Sequence, residues 1–193
     1  QEVGTQEAHQ FLCGDARDAL GILPSESVQS CITSPPYYQL RDYGVETQIG
    51  QEKTVDEYLH QLGVVFQALR RVLRPDGLLW VVIGDTYQRG QLLGVPWRFA
   101  EMLRVQGWRL RCDVIWEKPN AMPESTKNRP TRSHEYVFMF SRSEKYFYNA
   151  DAIREPIAAS TIGRVALMES REAPRVNQSE YKAGQGRIAS RGQ

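Results

Sequence analysis

Apolar positions along this chain fall into two patterns. Tyr58, Leu62, Val65, Phe66, Leu69, Val72 and Leu73 recur at helical spacing, which predicts a helix over about 55–73 with one apolar stripe. Thr54 precedes it and Glu57 follows three residues later, the signature of a capping box. Arg74-Pro75-Asp76-Gly77 ends it. A second helix is expected from Pro96 to about Gln106, stopped by Gly107. The other pattern is the short apolar run bounded by turn residues. Val28–Thr33 reads as a strand, "LLWVVIGD" (78–85) as a strand buried on both faces, and "WRLRCDVIWEKPN" (108–120) as another. Phe11–Cys13 reads as a short strand ending at Gly14-Asp15, followed by a helical turn or two in "ARDALGIL". "HEYVFMFSRSEKYFYN" (134–149) reads as a hairpin around Ser141–Lys145. "RDYGVETQIGQE" (41–52) is polar and glycine-bearing and is expected to be a mobile loop.

Strands alternating with helices predict an α/β sheet with crossover helices. In such sheets ligands gather beyond the carboxyl ends of the strands. Gly14-Asp15, Ser34–Tyr37, Gly84-Asp85 and Lys118-Pro119-Asn120 all fall at such ends.

Composition narrows the class. With 193 residues, 41% hydrophobic and 24% charged, the chain resembles a soluble globular protein with one sizeable core. It has no apolar stretch of membrane-spanning length and no signal-peptide pattern at its start. Cys13, Cys31 and Cys112 show no CxxC spacing, so reduced core cysteines in a cytoplasmic protein are expected rather than disulfides or a metal site. His9, His60 and His134 sit in unrelated segments, which gives no metal set. The tryptophans, Trp80, Trp97, Trp108 and Trp116, lie in apolar runs and are expected in the core. Net charge is −3 over residues 1–116, +1 over 117–153 and +3 over 154–193. A positive drift suits contact with a polyanion or a solvated tail equally well. From about Ala158 the apolar pattern decays into Arg, Ser, Gly and Gln.

The most unusual stretch is "CITSPPYYQ" (31–39), where a strand runs into a serine, two prolines and two tyrosines. Neither proline can donate to a ladder, so the strand must end there. The exocyclic amine of cytosine or adenine is a poor nucleophile, because its lone pair is delocalised into the ring. Two acceptors placed on its N–H bonds would aim that lone pair at an electrophile. The Ser34 hydroxyl and the Pro35 carbonyl are two such acceptors, held still by consecutive prolines. Tyr37 offers a ring on which an extruded base can stack. A stiff structural turn is the alternative for the tetrapeptide taken alone.

In sequence the chain resembles the S-adenosylmethionine-dependent amino-methyltransferases of DNA, in the permuted β-class arrangement. The resemblance rests on "FLCGDARDAL", "VQSCITSPPYY", "IGQEKTVDEYLHQLGVVFQALRRVLRPDGLLWVVIGDTY", "LLGVPWRFAEML", "GWRLRCDVIWEKPNAMPESTKNRPTRSHEYVFMFS" and "YFYNADAIREP". It implies a Rossmann-like methyltransferase fold, α/β, with a mostly parallel sheet and an antiparallel hairpin. Residues 10–157 would form the catalytic domain and 158–193 the start of a target-recognition region. It assigns Ser34, Pro35, Pro36 and Tyr37 to catalysis, and Asp15 with the Ala16 backbone to the adenine of S-adenosylmethionine. Lys118, Asn120, Arg129 and Arg132 would contact DNA. A serine before the prolines points to cytosine N4, with adenine N6 as the alternative. Double-stranded DNA is the implied partner, and a restriction endonuclease partner and a homodimer both stay open. One departure stands out. The family's Phe-x-Gly-x-Gly cofactor loop has no counterpart, since "KAGQGRIASRGQ" lacks the phenylalanine and a preceding strand. A catalytically incomplete DNA-binding fragment therefore remains a further reading.

Two other chemistries fit less well. Methylation at cytosine C5 needs a nucleophilic cysteine, usually after proline, whereas the cysteines here follow Leu12, Ser30 and Arg111. Methylation of protein glutamine usually uses Asn-Pro-Pro-Tyr, and Ser34 departs from that.

Overall fold

The computed structural model describes residues 9–155. The chain divides into two units, Gln1–Tyr148 and Asn149–Gln193. The first contains α1 (Ala16–Ile22), β1 (Val28–Thr33), α2 (Val55–Val72), β2 (Leu73–Ile83), a small ribbon of β3 (Tyr87–Gln88) and β4 (Gln91–Leu92), α3 (Val95–Val105), β5 (Arg109–Glu117) and β6 (His134–Ser141). The described part of the second holds one 3-10 turn at Asp151–Ile153.

The capping box forms as expected. The Glu57 N–H donates to Thr54 Oγ1 at 3.2 Å and the Thr54 N–H donates to Glu57 Oε2 at 3.1 Å. Behind this cap, Tyr58, Leu62, Phe66, Leu69 and Val72 are buried along one face of α2. Each such side chain contributes about 1.5–3 kcal/mol by leaving water. They pack with Phe99 and Leu103 of α3 on the sheet face formed by Leu79, Val81, Ile83, Phe138 and Phe140. Phe66 and Phe99 meet edge to face at 5.0 Å.

The strand order is β1-β2-β6-β5. β1 and β2 are parallel, with Thr33 opposite Val81. β6 runs antiparallel to β2 and β5, so that Val81, Phe138 and Asp113 lie side by side. The α/β architecture with an antiparallel hairpin is thus present, and in the described sheet one ladder is parallel and two are antiparallel. No helix among the described residues is long and apolar enough to cross a membrane.

Several local expectations are corrected. The hairpin does not lie within 134–149: β6 ends at Ser141 and its partners are β2 and β5. The Arg111 guanidinium donates to the Ser143 and Glu144 carbonyls, which turns the chain away where a second arm would begin. Phe11–Cys13 is not a strand, and Phe11 is 94% exposed. Cys13 and Cys112 are exposed, so only Cys31 approaches the core. Of the tryptophans, Trp108 is buried, Trp80 half-buried, and Trp97 and Trp116 exposed. For Trp80, Trp116 and Cys112 the cause is an asymmetric sheet. One face is packed under α2 and α3, while Ile32, Val114 and Trp116 on the other remain exposed. Residues 156–193, including the whole of the expected basic target-recognition segment 158–193, lie outside the described residues.

Candidate active site

β1 ends at Thr33 and delivers Ser34–Tyr37 to the rim of the sheet. Pro35 is buried and Ser34 exposed. The Tyr58 hydroxyl, from the first turn of α2, donates to the Pro36 carbonyl at 2.8 Å. Burial pushes the Tyr58 hydroxyl far above its ordinary range, so it stays a neutral donor. No hydrogen bond to the Pro35 carbonyl occurs among the described residues. That acceptor is fixed in place and available. Tyr58 read in the sequence as a stripe residue; its signal was the one hydroxyl in an otherwise apolar stripe.

The two tyrosines of the motif part company. Tyr38 turns into the core, 5.5 Å from the Tyr58 ring, and its hydroxyl donates to the Lys53 carbonyl. Tyr37 turns toward the cleft and packs on Gly84. A Cβ at position 84 would lie 2.7 Å from Tyr37 Cε2, so only glycine leaves room for the ring. Burial raises the Tyr37 hydroxyl above its usual range, a hydrogen bond with Ser34 opposes that, and the Glu135 carboxylate adds to the rise.

Ser34, Pro35 and Pro36 form a wall between two cavities. On one side lies a groove of about 420 Å3 lined by Gly14, Ala16, Leu20, Cys31, Leu62 and Phe66, among other mainly apolar residues. On the other lies a polar cleft of about 410 Å3 that the motif shares with Leu40, Lys118 and Glu135. It adjoins a second polar cavity of about 380 Å3 lined by Tyr37, Gly84, Asp85, Lys118, Arg132 and Glu135. The two adjoining polar cavities thus gather Ser34–Tyr37, Gly84-Asp85 and Lys118, while Gly14, which ends no strand, lies on the apolar groove.

Asp15 caps α1. It accepts from the Arg17 backbone N–H at 2.8 Å and from Arg17 Nε at 2.9 Å. These bonds hold its carboxyl down to about 2. Both carboxylate oxygens face Arg17, a local partner that the sequence reading did not assign. Ala16 is the first residue of α1 and its side lines the apolar groove.

The expected DNA contacts are mostly engaged within the chain. Lys118 pairs with Glu135. Arg129 pairs with Glu124 and lies 3.6 Å over the Tyr87 ring. Arg132 lies 3.7 Å from Asp85, both largely buried. Asn120 is exposed. Asp85 accepts from the backbone N–H groups of Thr86, Gly94 and Val95 at 3.0–3.1 Å. It therefore caps α3 from a distance and fixes the floor of the cleft. The pairing of Glu135 with Lys118 and the packing of Gly84 under the Tyr37 ring were not readable from sequence, because both depend on long-range contact.

The DNA methylase family matches residues 28–178. Type II methyltransferase M.XycI of Xanthomonas campestris pv. cyanopsidis is 48% identical over 172 residues, covering 74% of this chain and 57% of that protein. Type II methyltransferase M.Cfr9I of Citrobacter freundii is 46% identical over 171 residues, with the same two coverages of 74% and 57%. The chain thus spans somewhat over half the length of these relatives. A solved structure from Thermus thermophilus, described as a DNA modification methylase in complex with S-adenosyl-L-methionine, is 26% identical. It superposes with a TM-score of 0.55, covering 74% of this chain and 61% of that one. The PvuII DNA methyltransferase, described as cytosine-N4-specific, superposes at 0.60 with 22% identity, over 81% of this chain and 61% of that one. The Rossmann-like methyltransferase fold is shared with both.

Proposed function

This chain belongs to the N6/N4 DNA methylase family, and we propose that the protein transfers a methyl group from S-adenosylmethionine to N4 of a cytosine extruded from duplex DNA. The observation that carries the reading is the wall: Ser34, Pro35 and Pro36 line both the apolar groove and the polar cleft. A donor on one side and an acceptor on the other would meet only at this motif.

The groove suits the cofactor's adenosyl part. Its lining is chiefly aliphatic, and Gly14 and Ala16 leave the backbone of the α1 N-terminus accessible. Asp15 and Ala16 would read the adenine, and the cofactor would supply an electrophilic methyl group. In the cleft, Ser34 Oγ and the Pro35 carbonyl accept the two N–H bonds of the amine and direct its lone pair across the wall; after transfer N4 would release one of those protons to water in the open cleft, and the groove would keep S-adenosylhomocysteine. Tyr37 stacks on the base. Lys118, Asn120, Arg129 and Arg132 line the path of the strand, the arginines and the lysine after exchanging their internal partners for phosphates. Catalysis of this kind is positioning and electrostatics, without a covalent enzyme intermediate. The name Type II methyltransferase borne by the relatives supports a restriction endonuclease that reads the same site.

Ser34 in the first position of the motif supports cytosine over adenine. Nucleoside digestion of DNA methylated by the complete protein is expected to release N4-methylcytosine. Release of N6-methyladenine alone would overturn the cytosine assignment and keep the amino-methyltransferase reading.

A further inference from the structure

The loop that follows the motif presents an unusual surface. Leu40, Tyr43 and Val45 are 61%, 58% and 56% exposed on one short segment, and Leu40 and Tyr43 line the cleft. Three large apolar side chains so close on a loop tip are costly in water unless something covers them. The loop is not slack. The Tyr43 N–H donates to Gln48 Oε1 at 2.6 Å, and the Gln48 and Gln51 side-chain amides donate to the Arg41 carbonyl at 3.0 and 2.9 Å. The Gly44 N–H donates to Asp42 Oδ1 at 2.8 Å, and the Gln39 N–H donates to the Gly50 carbonyl at 2.6 Å. The segment read in the sequence as a mobile loop is tied by these bonds into a turn. Leu40, Arg41 and Tyr43 border the same cleft as Ser34–Tyr37. The Arg41 guanidinium makes no ion pair among the described residues, unlike Lys118, Arg129 and Arg132.

We propose that this loop is a wedge for duplex DNA, with Tyr43 entering the gap that the target base leaves in the stack. The proposal rests on the extruded-base reading above. Removing a base from the stack costs a few kcal/mol, and proteins that open a duplex offset such costs with apolar or aromatic side chains inserted between bases. Tyr43 supplies the ring, Leu40 and Val45 flank it, and Arg41 is positioned for a phosphate beside the opening. The occupant is duplex DNA because the loop is continuous with the cleft that would receive the extruded base.

A single strand has no stack to fill, and this separates the wedge from a structural role. With the complete protein, Tyr43→Ala should lower methylation of a duplex about tenfold or more beyond any loss on the matching single strand. Tyr43→Trp, which keeps a ring, should restore the duplex activity. The fluorescence rise of 2-aminopurine at the target position should fall in Tyr43→Ala and return in Tyr43→Trp. Equal loss on duplex and single strand, or equal fluorescence from wild type and Tyr43→Ala, would overturn the wedge. If the wild type produced the fluorescence contrast without methylating DNA, the methyl-transfer reading would fall and the wedge would stand.

Discussion

The two sides of the Ser34–Pro36 wall are built from opposite chemistry. The groove on the α1 side is lined by Ala16, Leu20, Leu23, Leu62 and Phe66 and takes its shape from helix packing. The cleft on the other side is held by paired charges: Lys118 with Glu135, Arg132 with Asp85, and Arg129 with Glu124. An apolar groove gains affinity from area and shape. In a cleft of paired charges, each cation that turns to a phosphate leaves its carboxylate behind, so engaging DNA there costs electrostatic energy, most of all at the buried Asp85. The same stretch of chain can face a small cofactor with one edge and a polyanion with the other.

The largest effect expected from breaking this comparison is at the wall itself. Ser34→Ala removes one acceptor and leaves the Pro35 carbonyl, the Tyr37 ring and both cavities in place. Turnover should fall roughly 10²-fold, the scale for loss of one preorganised hydrogen-bonding group. Affinity for DNA and for labelled cofactor should hold, since neither cavity changes shape. Single-turnover kinetics and filter binding on the complete protein measure both. Loss of DNA affinity in step with turnover would mean that Ser34 grips DNA instead of orienting the amine.

A smaller and one-sided effect is expected at Gly84. An added methyl would lie 2.7 Å from Tyr37 Cε2 and 3.0 Å from Cδ2, so the ring must shift into the cleft. Overpacking of this kind costs about 1–3 kcal/mol. Gly84→Ala should weaken DNA binding and turnover but spare cofactor binding, because Gly84 lines only the polar side. Equal damage to both ligands would show that the two sides are mechanically coupled through Tyr37.

Much of this arrangement was legible before the structure, and the parts that were not share a cause. Thr54 with Glu57, and the stripe from Tyr58 to Val72, are local signals, since one helix carries both cap and core face. The strand ends were legible because Pro35, Gly84 and Pro119 interrupt apolar runs. Partner choice was not. β6 reads equally well as half of a hairpin with 145–149 or as the neighbour of β2 and β5, and only the ladder decides. Burial was misread for Trp116 and Cys112 because an apolar run says that a strand can be buried, not which face is covered. The roles of Gly84 and Glu135 depend on Tyr37 and Lys118, far away along the chain, and left no local signature, while the Tyr58 hydroxyl stood out in its stripe without showing that Pro36 was its partner. At Asp15 the reverse happened: the resemblance suggested a distant ligand, and the structure shows a partner two residues along the chain.

That local pairing gives the smallest prediction, on the apolar side of the wall. The Arg17 guanidinium and backbone N–H hold the Asp15 carboxyl at about 2, below its ordinary 3.8. A carboxyl depressed in the folded state stabilises the fold above its unfolded value and loses that contribution as pH falls through the folded one. The contribution of Asp15 is therefore complete at neutral pH and fades between about pH 4 and 2. Asn caps helices nearly as well as Asp, so Asp15→Asn isolates the charge. Because the pair is about a third exposed, solvent screening limits the difference from wild type at pH 7 to a few tenths of a kcal/mol, or about 1 at most. Urea unfolding at pH 7, 4 and 3 should show the wild-type advantage shrinking as pH drops. An advantage that stayed constant to pH 3, or grew, would mean that Arg17 does not hold this carboxylate. Asp15 would then have no local partner competing with the adenine of S-adenosylmethionine.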